Sequence, residues 1–334
     1  MKKDKITVGK IAKKAGVSPS TVSRVLNHRN IVKSETIKQV EDAMAALGYA
    51  FDPKVSNSPE SPPLVVMNIP AIKNVFYQEV IEGARISAKA HGCYILIHEC
   101  NLDHRTIHGF CNLLHRVSAA GTIITNCLSE DLLSQIQAIT PLVQCCEYNE
   151  HADFPYVSVD DFSAAKNATE YLLSCGCRKL ALINGPMDFK YAVKRKEGFL
   201  HTLKMHDIVI LQSWIVQLPE VNYEMAYAAI CRILNAETRP HAFFTISDIF
   251  AAAVIRAAKR FHLKVPNDIM VVGFDNIEFS MMTTPSITTI NQPKMQLGYS
   301  ACEMLLEKIE NSSIPVKSLL LDTELIIRES TYNI

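Results

Sequence analysis

The chain has 334 residues, enough for two or three domains, and 20% of them are charged against 48% apolar. That balance excludes long disorder and fibrous repeats, and no apolar run reaches the roughly 18 residues that a membrane-spanning helix needs. Net charge is zero, yet residues 1–54 hold 11 Lys and Arg against 5 Asp and Glu, so a small basic head precedes an acidic body, as expected when one end meets a polyanion.

The Lys-rich start MKKDKITVGK leads into no apolar segment, so no secretory signal is expected and the chain reads as cytoplasmic, with no membrane partner. Its ten cysteines then read as reduced thiols, mostly small core residues. Three short helices follow in the head. Thr7 is placed to cap a helix from Val8, with Val8, Ile11, Ala12 and Ala15 on one face and Gly16 as its breaker. Ser18 suits the N-cap and Pro19 the first position of a second helix running to about Leu26. Ser34 is expected to cap a third, Glu35 to Leu47, ended by Gly48. Two short helices around a tight turn, backed by a third, form a helix-turn-helix. The second helix exposes Ser20, Thr21, Ser23 and Arg24, side chains that reach phosphates and base edges, with Arg suited to a bidentate contact with guanine. The alternative is a small three-helix domain with a polar face.

Residues 52–63, DPKVSNSPESPP, hold four prolines and read as a linker. Beyond it apolar runs at Leu64–Ile69, Tyr94–Ile97, Thr122–Thr125 and Leu142–Cys145 alternate with amphipathic stretches such as Val75–Ala90. The rhythm resumes at Lys179–Ile183, His241–Ile246 and Ile269–Phe274, with helices including Ala164–Leu173 and Ile249–Phe261. Such alternation over some 270 residues predicts an α/β fold of two parallel-sheet lobes, with a ligand site outside the carboxyl ends of the strands, in the cleft between them.

ITVGKIAKKAGVSPSTVSRVLN and TIKQVEDAMAALGY resemble the headpiece of the LacI/GalR family of bacterial transcription regulators. NVFYQEVIEGA, AKAHGCYILI, YLLSCGCRKLALINGP, KRKEGF, FTISDIFAAAVIRAAKRFHLKVPNDIMVVGFDN and PSITTINQPKMQLGYSACEMLL resemble that family's core. The resemblance runs from about residue 6 to 331 and rests on several motifs in the right order, any one of which alone would be weak. It implies a headpiece at 1–51, an atypical hinge at 52–63 and a two-lobed, periplasmic-binding-protein-like core at 64–334. The first lobe would take about 64–160 and 291–320, the second about 161–290 and 321–334, with crossovers near Asp160, Ile290 and Leu320. Helix Met295–Ile309 would belong to the first lobe, and a last strand around Glu324–Ile327 would return to the second. The implied function is a ligand-responsive repressor that binds a double-stranded DNA operator as a homodimer.

The DNA contacts that the resemblance implies are Thr7, Ser18, Ser20, Ser23, Arg24, Asn27, Thr36 and Tyr49, with Thr7, Thr36 and Tyr49 mainly on phosphates. Pro19 stands where relatives often carry a base-reading side chain, so readout falls on Ser20 and Arg24. Typical members insert a hinge-helix leucine into the minor groove, and here that position is Ser58, followed by Pro59. A serine is no apolar wedge, which implies modest affinity and assistance from a second DNA-bound regulator.

The matching effector positions are Phe76, Tyr77, Phe189, Tyr191, Arg195, Val221, Asp248 and Asp275. Aromatics beside one Arg and carboxylates suit a ring ligand with hydroxyls. Purine-binding members carry basic and hydroxyl residues where Phe189 and Tyr191 stand, which favours a nucleoside or sugar here. Each residue also has a structural reading. Phe76 and Phe189 fit a core, Asp275 could cap a turn, Arg195 could pair with Glu147 or Asp248, and Asp161 could be an N-cap.

The eleven histidines show no metal spacing and read as surface, so neither metal nor cofactor is expected. Neither G-x-x-x-x-G-K-[ST] nor G-x-S-x-G is present. Cys145–Cys146 reads as packing, with redox sensing as the alternative. The rivals to a regulator are an α/β enzyme of sugar or nucleoside metabolism and a solute-binding protein. The first lacks a catalytic constellation, the second a signal peptide, and neither accounts for the basic head.

Overall fold

The computed structural model describes residues 8–27, 32–47, 62–311, 313, 315 and 318–332. The chain divides into two compact units, Met1–Ser61 and Pro62–Ile334.

In the first unit α1 (Val8–Ala15), α2 (Pro19–Asn27) and α3 (Ser34–Ala46) close on a small core of Ile11, Ala12, Val22, Val25, Val40 and Met44. Gly16, with φ 69°, makes the turn between α1 and α2 that an L side chain would resist. Ser18 caps α2 by accepting the Thr21 N–H at 3.1 Å. Ser34 does not cap α3: it is already the first helical residue, and Lys33 holds the cap position with no side-chain hydrogen bond. Thr7 and Gly48, expected to bound α1 and α3, lie outside the described residues, as does linker segment 52–61.

The second unit holds two lobes. Its elements are β1 (Leu64–Ile69), α4 (Phe76–Ala90), β2 (Tyr94–Glu99), α5 (Ile107–Arg116), β3 (Gly121–Ile124), α6 (Glu130–Gln137), β4 (Leu142–Cys145) and β5 (Tyr156–Val159). They continue as α7 (Asp161–Ser174), β6 (Leu180–Asn184), α8 (Lys190–Met205), β7 (Ile215–Gln217), α9 (Tyr223–Leu234), β8 (Ala242–Thr245), α10 (Asp248–Arg260) and β9 (Met270–Asp275). Last come α11 (Phe279–Met282), β10 (Thr288–Asn291), α12 (Lys294–Glu310), β11 (Ser318–Leu321) and β12 (Glu324–Ile326). One sheet runs β11-β5-β4-β3-β1-β2 and is parallel throughout. The other runs β12-β10-β9-β8-β6-β7 and is parallel except for β12, which pairs antiparallel with β10. Strands buried on both faces need continuous apolar runs, and LVVMNI in β1 and LALIN in β6 supply them.

The chain crosses between lobes three times, at Asp160 after β5, at Gln292–Pro293 before α12, and at Asp322–Thr323 between β11 and β12. Helix α12 packs on α4 across two glycines. A Cβ on Gly83 would overlap the Met295 carbonyl, and one on Gly298 that of Val80. Not every histidine is at the surface: His98 on β2 is half-buried, its Nδ1 2.6 Å from Asn68 Oδ1.

Candidate functional site

The strands of both lobes present their carboxyl ends to a common cleft, where a parallel α/β protein gathers its polar groups. The cleft is narrow and partly open to solvent. Phe76 and Tyr77 reach it from the start of α4, their rings edge to face at 5.3 Å. Tyr191 and Arg195 come from the first turns of α8, Val221 from the segment before α9, and Asp275 from the end of β9. Asn74, Glu147, Asp161, Ser247 and Gln292 complete its polar lining.

Arg195 is the organising cation. Its Nε donates to Asp161 at 2.9 Å and its Nη1 to the Ile246 carbonyl at 2.7 Å, while Nη1 lies 3.6 Å from Asp275 Oδ1. The guanidinium sits over the Phe274 ring at 3.4 Å. Its partners are therefore Asp161 and Asp275, not Glu147 or Asp248 as weighed from sequence.

Asp161 is not the N-cap of α7. Asp160 fills that role, accepting from Ser163 N at 2.9 Å, which leaves Asp161 buried between Arg195 and Lys190, whose Nζ donates at 2.7 Å. Burial opposes its charge, yet the two cations hold its carboxyl below the usual range.

Asp275 lies at φ 101°, a left-handed conformation uncommon for a side-chain-bearing residue and concentrated at functional sites. Gln292 Nε2 donates to it at 2.7 Å, but burial still lifts its carboxyl to about 6. Glu147 reaches the cleft because Cys146, at φ 69°, turns the chain off β4. Its carboxylate accepts Lys190 N at 2.6 Å and Tyr191 N at 3.2 Å, so a first-lobe residue satisfies N–H groups that begin a second-lobe helix. Burial nonetheless raises Glu147 to about 7. In sequence Glu147 stands out only as a candidate partner for Arg195, and no local pattern marks it for the cleft.

Two expected positions are not in the cleft wall. Phe189 holds the extended residue before α8, half-buried beside Tyr191, whose ring takes the wall instead. Asp248 starts α10 fully buried, with both oxygens committed to Thr289 Oγ1 at 2.5 Å and Ile277 N at 2.9 Å. Gly273 makes room for it, and burial raises its carboxyl to about 8. Cys145 and Cys146 lie with sulfurs 3.6 Å apart; their hydrogen bond and burial push the Cys146 thiol up, away from the reactive thiolate.

In the head, Ser18 and Ser20 are exposed at the start of α2, their hydroxyls 2.7 Å apart, and Thr36 is half-buried on α3. Thr21, expected to be exposed, is half-buried. Ser23, Arg24 and Asn27 lie on α2, but their side chains are outside the described set, and Thr7 and Tyr49 are outside the described residues altogether.

Comparison with known proteins places residues 7–52 in a profile described as "Bacterial regulatory proteins, lacI family" and residues 169–331 in a "Periplasmic binding protein-like domain". The chain is 30% identical over 329 residues to the HTH-type transcriptional repressor CytR of Escherichia coli (strain K12), covering 97% of this chain and 96% of that one. It is 32% identical over 336 residues to the HTH-type transcriptional repressor PurR of Edwardsiella ictaluri (strain 93-146), covering 97% and 96%. The lac repressor dimer bound to operator and an anti-inducer superimposes with a TM-score of 0.74, at 22% identity over 99% of this chain and 100% of that one, a likeness of fold.

Proposed function

The chain belongs to the lacI family of bacterial regulatory proteins, and from that premise we propose that its interlobe cleft takes a nucleoside or a sugar whose binding changes the head's grip on operator DNA. It is a DNA-binding transcriptional regulator controlled by a small molecule. The observation that supports the effector class is Arg195 beside Asp275, enclosed by Phe76, Tyr77 and Tyr191. Aromatic faces take a ring, and the guanidinium and carboxylate take its hydroxyls. Our reading is of a cytoplasmic repressor that acts as a homodimer on two half-sites, without catalytic activity, its head contacting DNA through the α2 positions from Ser18 to Asn27. Relatives named as transcriptional repressors support the non-enzymatic reading.

The experiment is a thermal-shift screen of nucleosides and sugars, followed by titration of any hit into operator-bound protein. A ligand at 100 times its dissociation constant stabilises the fold by about 2.7 kcal/mol, a readily measured shift. If neither class stabilises the protein and operator binding responds to neither, the assignment fails.

A further inference from the structure

We propose that the effector carries a cationic amine, an ammonium group on a sugar or nucleoside frame, which the cleft selects over the neutral hydroxyl analogue by an unbalanced carboxylate. This rests on the reading of the cleft as the effector site and narrows it to a chemical class.

Carboxylates outnumber the cations that touch them at the cleft. Three carboxyl groups line it: Glu147 from the turn after β4, Asp161 from the start of α7, and Asp275 from the end of β9. Two cations answer them, Lys190 and Arg195, both on α8, and both are drawn to Asp161 at 2.7 and 2.9 Å. What remains for Asp275 is the longer 3.6 Å approach of Arg195, and for Glu147 two backbone N–H groups with no side-chain cation in hydrogen-bond contact.

The other nearby ionisable groups do not restore the balance. Lys294, buried at the start of α12, donates to the carbonyls of Asp275 and Asn276, and its charge helps hold down the Asp275 carboxyl, although it is shared with half-exposed Glu79 of α4 at 3.4 Å. Lys194 is paired with Glu150 at 3.0 Å and with Glu197 at 3.6 Å. Asp248, behind Asp275, adds negative charge or none. Glu147 is thus the cleft carboxyl that no side-chain cation contacts, and Asp275 the one held only by a long ion pair and a shared lysine.

A buried carboxylate without a counter-charge is costly, and here a proton meets the deficit: Glu147 and Asp275 are lifted to about 7 and about 6, chiefly by burial. An ammonium group entering the cleft would take that proton's place. The walls are compatible with it, since Phe76 and Tyr77 line the cleft beside Tyr191, whose ring already lies under the Arg195 guanidinium at 4.9 Å.

The test compares matched pairs on the full-length protein, glucosamine with glucose and 5′-amino-5′-deoxyadenosine with adenosine, by thermal shift and calorimetry. The working pH lies between the two carboxyl values, where both amines are protonated. The amine of at least one pair should bind about ten- to a hundredfold more tightly than its hydroxyl partner, the range expected of a charge-assisted hydrogen bond. It should also release protons, seen as a heat that varies with the buffer's ionisation enthalpy, and its affinity should rise with pH as Glu147 and Asp275 ionise. Glu147→Gln and Asp275→Asn should each remove most of the advantage. Hydroxyl partners that bind as well as the amines, or amines that do not stabilise the protein at all, would overturn the proposal. A hydroxyl ligand lost only in Asp275→Asn would overturn the amine while leaving the cleft as the effector site. A ligand that binds equally to both variants would displace the cleft reading too.

Discussion

Asp248 is fully buried at the start of α10 with both oxygens bonded, and burial raises its carboxyl to about 8. In the unfolded chain an aspartate ionises near 4, so between those values the folded state holds a proton that the unfolded chain has shed. The stability it contributes is complete below about pH 4 and is lost as the pH rises toward 8. Asp161 runs the other way: cations hold its carboxyl low, so its contribution is present above the unfolded value and lost in acid. Asp248→Asn should therefore flatten the fall in stability between about pH 5 and 8, measured as urea midpoints across that range. An unchanged slope would mean that Asp248 is ionised in the folded protein. In the head, Arg24 is the only long cationic donor on α2. Arg24→Ala should cost about 1 to 3 kcal/mol per half-site and relax preference at one base position, as binding-site selection would read it. Selection of the same sites at the same affinity would make Arg24 a bystander.

Helices α4 and α12 approach each other closely because Gly83 and Gly298 carry no side chain where each meets the other's backbone. Gly298→Ala places a methyl against the Val80 carbonyl in a close-packed core, and overpacking of this kind destabilises by about 1 to 3 kcal/mol or more. Denaturant melts should show that loss, whereas Gly109→Ala on α5, where a Cβ meets nothing, should show none. The same scale shows what a single sequence reveals. The alternation of apolar strands and amphipathic helices identified the two-lobed α/β fold because buried parallel strands and helix faces have periods that survive in one dimension. Short or weakly apolar elements such as β7 and α11 carry too few residues to show a period. The site divides in the same way. Tyr77, Arg195 and Asp275 reach the cleft from strand and helix ends where family positions foretold them. Glu147 is legible in sequence only as a candidate partner for Arg195, because its actual partners, Lys190 and Tyr191, lie 43 and 44 residues away across a lobe boundary. Asp248 resembles a ligand residue in sequence for the same reason: its commitment to Thr289 and Ile277 is tertiary and leaves no local trace.

For the whole molecule, the linker expectation turns on residues outside the described set. The resemblance aligns Ser58, directly before Pro59, with an intercalating hinge leucine, and since a serine is no apolar wedge, the operator should be bent less than such a wedge would bend it. Four prolines in residues 52–63 oppose a hinge helix, so half-site spacing should be permissive, with no folded hinge pair to fix the separation of two heads. Circular-permutation gels and operators respaced by a few base pairs test both; a strong central kink with one preferred spacing would show that the segment folds on DNA. The three crossings between lobes have a consequence for biosynthesis. The first lobe's sheet needs β11, and the apolar face of α4 is covered by Leu297, Ala301 and Leu305 of α12, so neither can be completed until late in translation. The second lobe likewise waits for β12. Residues 161–291 of the second lobe emerge earlier, yet neither lobe is finished as a unit until β11 and β12 have left the ribosome. Nascent chains stopped before α12 should therefore expose the apolar face of α4 and rely on chaperones, which a ribosome-stalled series ending before and after α12 would show as chaperone binding lost once α12 is present.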